Sequence, residues 1–424
     1  MAADRFDVGS TDDSLARLVS AARDCGGLFR IYAPERGADT WIVNNPADIK
    51  RVLVTNHRNY TKGVGLDRVR ILLGDGIMTS EGDMWRRQRR MMQPLFHRRV
   101  VEQFAATIAR CVDRRLDAWE QVARRDEPVD ITDAMSELTL EIVVASIFGR
   151  DVEWLAERAG GNPFSLVAEV TARDLKFAYQ FRSLTRLVAE LAQKRHAARE
   201  EHFDFLGMLM AARDKDTGRA MSERELVDEV MTLIVAGHET TASALGWTWY
   251  LLATHPEELA RLHAEIDAAP DSPTLSYQAS EAFRFAQAVL QESMRLYPPG
   301  WILSRRSIGT DVLSGFQVPP GTDVMVSPYL IHRHPGYWER PDEFRPERFL
   351  GTADPRDAWT YIPFAAGPRH CVGENLAMYE MTVHLTRVAR RWRLEYVDDG
   401  PIELEAAINL RARRNLRMRL VRRH

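Results

Sequence analysis

From Ser222 to Tyr250 the chain reads as one continuous helix. Ser222 and Glu225 stand three apart in the pattern of a capping box, and no proline interrupts the run before Pro256. At about 1.5 Å per residue such a helix spans roughly 50 Å, enough to cross a large domain. It is a poor membrane span, because His238 and Glu239 break the apolar sequence at its middle. A buried central helix is the reading that remains.

A chain of 424 residues with 45% hydrophobic content supports a substantial core. No Pro/Gly/Ser-rich linker, repeat or low-complexity block divides it, so residues 1–424 are expected to form a single domain. The formal net charge of −3 argues against a nucleic-acid partner. Only Cys25, Cys111 and Cys371 are available, which disfavours a disulfide framework and fits a reducing, cytoplasmic compartment. The first residues carry acids and no apolar run of signal or anchor length, so no membrane span is expected.

Strand patterns are short. Trp41 to Pro46 reads as a strand and turn, Ala47 to Thr55 as a short helix, and Trp301–Arg306 and Thr322–Pro328 as strands. Runs around Ile402–Leu410 and Leu416–Val421 suggest a closing hairpin. Ser280 reads as the cap of a helix that ends at Tyr297-Pro-Pro-Gly300, where the prolines stop it. Helical patterns far outweigh strands, so the expected fold is mainly α with small β-sheets.

Two local arrangements carry chemistry. Phe364 to Gly373 reads Phe-Ala-Ala-Gly-Pro-Arg-His-Cys-Val-Gly, with a helix pattern starting at Glu374. Gly367 permits a turn that a Cβ would resist, and Gly373 would allow a close approach. Cys371 thus precedes a helix N-terminus, where backbone N–H groups and the dipole favour a thiolate, and Arg369 adds positive charge. In the long helix, Gly237 costs roughly 1 kcal/mol relative to alanine, and a buried Glu239 needs a partner or solvent. Together they point to a groove admitting water or oxygen, with a carboxylate able to exchange protons.

The spacing Phe-x-x-Gly-x-Arg-x-Cys-x-Gly resembles the haem-binding loop of the cytochrome P450 family. Ala-Gly-His-Glu-Thr-Thr resembles the oxygen-side helix of its bacterial fatty-acid hydroxylase haem domains and their microsomal relatives. The order Glu292-x-x-Arg295, Pro346-Glu-Arg348-Phe, then the cysteine loop is also that of the family. The resemblance implies a soluble haem-thiolate monooxygenase with haem b between the long helix and the cysteine loop. Such an enzyme inserts one oxygen atom of O2 into a C–H bond of a lipophilic molecule. Its electrons come from NAD(P)H through a ferredoxin or flavodoxin and its reductase, because the chain ends soon after Arg411–Leu420 without a fused flavin or iron–sulfur module. Peroxide-driven, coupling or desaturating chemistry is the alternative, and a haem gas-binding protein a more distant one.

Carried onto this sequence, the resemblance makes Cys371 the iron ligand. It places Thr240 beside the oxygen position, with Glu239 as the proton relay. Thr241, about 100° further round the helix, faces elsewhere. Glu292, Arg295 and Arg348 would interlock as a structural network. Phe364, Gly367, Arg369 and Gly373 frame the haem from the cysteine loop. Trp85 and Arg89, one helical turn apart, and Arg369 of the cysteine loop would meet the haem propionates, since arginine forks suit carboxylates. Either Arg305 or Arg306 joins them, because strand alternation sends one inward, and the family spacing favours Arg306. Arg86, Arg87 and Arg90 would offer a basic face to an acidic electron carrier. Leu73, Met78, Ala236, Ile302 and Ile408 are the apolar positions expected at the substrate, which is a lipid, terpenoid or similar molecule. No cationic clamp for a fatty-acid carboxylate is evident.

Overall fold

The computed structural model describes residues 4–9, 13–168, 175–198, 201–351 and 354–423. The elements used below begin with strands β1 (Asp4–Arg5), β2 (Leu28–Ala33), β3 (Ala38–Val43) and β4 (Tyr60–Lys62). Helices α1 (Gly82–Met92), α2 (Ala105–Arg124), α3 (Ile131–Phe148), α4 (Glu223–Thr254) and α5 (Arg284–Leu296) follow. Strands β5 (Leu303–Ser307) and β6 (Asp323–Val326), helix α6 (Glu374–Arg391), and strands β7 (Leu404–Ala406) and β8 (Leu410–Ala412) complete the set. Helices dominate and the sheets are small, as expected.

α4 is the axis of the fold. Its capping box is reciprocal: Glu225 N–H donates to Ser222 Oγ at 3.3 Å, and Ser222 N–H donates to Glu225 Oε2 at 2.8 Å. It stops at His255, before Pro256. Trp247 and Trp249 on it are fully enclosed, which is how a 32-residue helix gains stability from packing rather than propensity. The groove expected at Gly237 is filled from α3. A Cβ at Gly237 would lie 3.1 Å from Val143 Cγ2, so the missing side chain lets the two helices close together. His238 turns the same way, with Nε2 2.9 Å from Ser136 Oγ, while Thr139 Oγ donates to the His238 carbonyl at 3.2 Å. Burial pushes His238 down to about 4, so the ring is neutral.

α5 begins at Arg284, not near Ser280, which instead closes a separate short turn. Its first free N–H groups are satisfied from a distance. Glu265 accepts from Phe285 N at 2.7 Å and from Ala286 N at 2.9 Å, placing a carboxylate where the helix dipole favours it.

The main sheet runs β1-β2-β3-β6-β5-β4. Its register sets up the site: Lys62 on β4 lies opposite Arg305 on β5, and Arg306 lies opposite both Thr61 and Asp323. The expected closing hairpin is not formed. β7 and β8 pair with each other, and Arg417–Arg422 pairs with Trp392–Tyr396. Among the described residues no helix is long and apolar enough to cross a membrane.

Candidate functional site

The cysteine loop is shaped by backbone contacts before any cofactor is considered. Cys371 N–H donates to Phe364 O at 2.9 Å, and His370 N–H to Gly367 O at 3.0 Å. Gly367 has φ +71°, and a Cβ there would sit 2.2 Å from Leu53 O, so both conformation and space demand glycine. Gly373 is different: its φ is −87° and a Cβ would find only ordinary contacts, Cys371 Sγ at 3.9 Å being the nearest. Protein packing alone therefore does not require glycine there. Cys371 keeps open surface, yet burial is the largest influence on its thiol and pushes it up. The sulfur therefore faces a recess inside the fold rather than bulk solvent. Backbone N–H groups of Gly373 and Glu374 and the charge of Arg89 pull the other way.

The cation that acts on Cys371 is thus Arg89 of α1, not Arg369. Arg89 also donates to His370 O at 2.7 Å, tying α1 to the loop. Arg369 instead pairs with Glu81, donates to Ser80 O at 2.9 Å, and lies 3.9 Å over the Trp85 ring.

Around the loop the fold gathers more positive charge than it neutralises. Burial, followed by Arg369 and Arg305, lowers the Lys62 ammonium to about 7. Burial likewise lowers Arg369 to about 10 and weakens protonation of Arg305. Glu81 is the carboxylate that all three share. Buried cations at this cost require anionic partners. Haem brings two propionates to carry that charge and an iron to take the sulfur. The residues present fit it.

Arg306 does not join them. It bonds Asp323 at 2.9 and 3.0 Å with its side chain 46% exposed, on the opposite face of β5. The alternation that separates the two arginines therefore sends Arg305 inward. Lys62 and Glu81 escape a motif search. The signal for Lys62 is its register opposite Arg305, visible only once β4 and β5 pair.

Glu292, Arg295 and Arg348 interlock at the centre of the protein. Glu292 and Arg295 are both 0% exposed. All five guanidinium N–H groups of Arg295 are used. Nε and Nη2 reach Glu292 at 2.7 and 2.8 Å, Nη1 reaches His332 O and Pro341 O, and Nη2 also reaches Glu343 O. Arg348 Nε donates to Glu292 Oε1 at 3.2 Å. The network continues into the cysteine loop. Burial, with Arg295 and Arg333 nearby, pushes His332 down to about 3, and the neutral ring accepts Ile362 N–H at 2.8 Å.

On α4, Thr240 Oγ donates to Ala236 O at 2.7 Å, so in this state its proton points back along the helix. Thr241 is 3% exposed. Glu239 Oε2 accepts from Asn409 Nδ2 at 2.9 Å. Of the apolar positions, Met78, Ala236 and Ile302 are half-buried, whereas Ile408 is exposed in the β7–β8 turn. Leu73 is buried in the main core. The basic face is largely spent within the protein. Arg87 pairs with Glu225 at 2.5 Å, Arg90 with Asp214 and Asp216 at 3.1 and 2.8 Å, and Arg86 with Asp83.

A lone cysteine in a recess, buried cations in excess around it and a long central helix define a haem-thiolate protein. A cytochrome P450 family model matches residues 6–160 and 162–413, and the chain belongs to that family. It is 34% identical to cyclooctatin synthase of Streptomyces melanosporofaciens over 87% of this chain and 83% of that protein. Pentalenene oxygenase of Streptomyces avermitilis is 30% identical over 89% of this chain and 86% of its own length. The crystal structure of the cytochrome P450DA haem domain matches the fold with a TM-score of 0.85 at 24% identity, covering 100% of this chain and 98% of that one. The protein is accordingly a monooxygenase that uses haem b, O2 and electrons drawn from NAD(P)H through redox partners.

Proposed function

We propose that this enzyme hydroxylates a hydrocarbon-rich small molecule of terpenoid type, with Cys371 as the thiolate that would hold the haem iron. The observation that carries the site assignment is the excess of buried cations converging on the Cys371 loop. In this reading Lys62, Arg89, Arg305 and Arg369 hold the propionates, and Trp85, Phe364, Gly367 and Gly373 border the ring. The half-buried apolar side chains Met78, Ala236 and Ile302, together with the name of the relative pentalenene oxygenase, support a substrate placed by shape. The Arg305 assignment has a direct test. Arg305→Leu should lower haem retention during dialysis or transfer to an acceptor protein, while Arg306→Leu should not. Equal loss in both variants would return the propionate role to an unresolved pair.

Bound at Cys371, the haem supplies dioxygen activation and the oxidation of the C–H bond. What the chain adds is proton control and position. Thr240 offers a hydroxyl whose lone pairs remain available while its proton rests on Ala236 O. Turning that hydroxyl outward would let it donate at the oxygen position. Glu239 relays protons toward it from solvent. Thr240→Ala removes the hydroxyl at little cost to helix propensity, so folding and haem content should persist. Product formed per NAD(P)H consumed should fall at least about tenfold, with hydrogen peroxide making up the difference. Thr241→Ala, at a buried position, should uncouple less. Full coupling in Thr240→Ala would remove the assignment, and undiminished turnover with peroxide alone would favour the peroxide-driven alternative.

A small acidic ferredoxin or flavodoxin with its reductase is the partner class we favour, in the cytoplasm, where the three free thiols are consistent with a reducing milieu. Since Arg87 and Arg90 are bound internally, of the three arginines Arg86, 55% exposed, has most surface to offer such a partner.

A further inference from the structure

The segment of residues 74–80, which leads into α1 and carries Met78, is fastened to α4 by two carboxyl groups. Asp228 Oδ2 accepts Asp75 N–H at 2.9 Å, and Glu229 Oε2 accepts Ile77 N–H at 2.9 Å. Between these bonds the segment lies tight on the helix. A Cβ at Gly76 would sit 2.2 Å from Thr232 Oγ and 2.8 Å from Asp228 O, so only glycine allows the approach. From the other side, Gln88 of α1 donates to Asp75 O at 2.7 Å and accepts the Ser80 hydroxyl at 2.5 Å. The bond to Ile77 is the one immediately before Met78. Glu229 also precedes Ala236 by seven residues, close to two turns, so the two share a face of α4.

Glu229 is a demanding choice for this place. It is 0% exposed, and its Oε1 has no hydrogen-bond partner among the described residues. Burial is the largest influence on the group and pushes it up to about 8, so at neutral pH it is an uncharged acid. An apolar side chain would pack here without stranding a polar atom. What an apolar side chain cannot do is accept the Ile77 N–H. The carboxyl oxygen therefore serves the loop, and an amide oxygen would serve it equally well.

We propose that Glu229 is a positioning residue for the substrate, which it serves by fixing the place of Met78 through the Ile77 N–H. The proposal rests on the reading of Met78 as a substrate contact. A loop that holds its binding-competent position only part of the time lowers apparent affinity in proportion. A ligand wide enough to touch Met78 feels that loss, and one that reaches only the iron does not. Phenylimidazole and imidazole are the two probes, each read in the holoenzyme from the Soret shift it causes.

Glu229→Leu should weaken phenylimidazole binding several-fold and leave imidazole binding and haem content unchanged. Hydrogen exchange of residues 74–80 should speed up in the same variant. Glu229→Gln keeps an acceptor for Ile77 and should restore both readouts to wild type. Met78→Ala should itself weaken phenylimidazole binding, and adding Glu229→Leu should then weaken it no further. Unaltered exchange in Glu229→Leu would overturn the proposal. So would loss of haem, equal weakening of both probes, or an undiminished effect in the Met78→Ala background, since each marks a side chain acting only as structure. Wild-type phenylimidazole binding in Met78→Ala would overturn the substrate reading of Met78 instead. The exchange rates would still report whether Glu229 holds the loop, so the two failures are separable.

Discussion

Arg295→Ala should leave little haem-loaded protein to recover. The substitution strands a fully buried Glu292 carboxylate and removes the donors of three backbone carbonyls, at His332, Pro341 and Glu343. Breaking a buried pair in this way costs about 3–5 kcal/mol. That is a large part of the roughly 5–15 kcal/mol that holds a typical domain together. The damage should also reach the cofactor. Arg295 bonds the His332 carbonyl, and the His332 ring receives Ile362 N–H at the start of the cysteine loop. Arg348 and Arg345 N–H still reach Glu292, at 3.2 and 2.8 Å, and soften the loss without replacing the fork. Denaturant midpoint and haem per polypeptide measure the outcome. An unchanged midpoint with full haem content would show that the network contributes no stability and does not hold the loop.

Cys371→Ser should abolish the thiolate signature of the reduced carbon-monoxide complex. A serine hydroxyl does not ionise readily and is a far harder donor than sulfur, so the electron donation that a thiolate would supply to bound haem is lost. Loss of partners one step removed from a metal already costs about 10–100-fold, so product formation should drop below roughly one hundredth of wild type. No other cysteine is placed to substitute. Burial pushes the Cys111 thiol up to about 11, in the packed core beside Arg114, and Cys25 ends the N-terminal helix Ser14–Cys25 against a different hydrophobic cluster. Retention of the unaltered band in Cys371→Ser would mean that one of those two is the ligand.

The parts of the site legible in the sequence are those whose partners are close along the chain. Glu292 and Arg295 are three apart on one helix and meet wherever that helix goes. Ser222 and Glu225 cap α4 for the same reason, and Gly367 is called for by the turn it makes. The cysteine loop is closed by bonds spanning seven residues or fewer, so its spacing alone outlines its shape.

Other features depend on which segments meet. Alternation along β5 requires one of Arg305 and Arg306 to face inward, and only the pairing with β4 and β6 decides that it is Arg305. The arginines of α1 look like a free basic face until the chain brings Glu225 and Asp214 against them from 138 and 124 residues away. Glu265 capping α5, Lys62 beside Arg305 and Asn409 beneath Glu239 belong to the same class. The sequence by itself therefore determined the haem-thiolate chemistry and the long central helix, because those rest on short-range spacing. The tertiary structure alone decided which cations gather beside the cysteine loop and that Asn409 meets Glu239. A charge is neutralised by whatever carboxylate folding places beside it, and strand register and helix packing settle that over distances no local pattern spans.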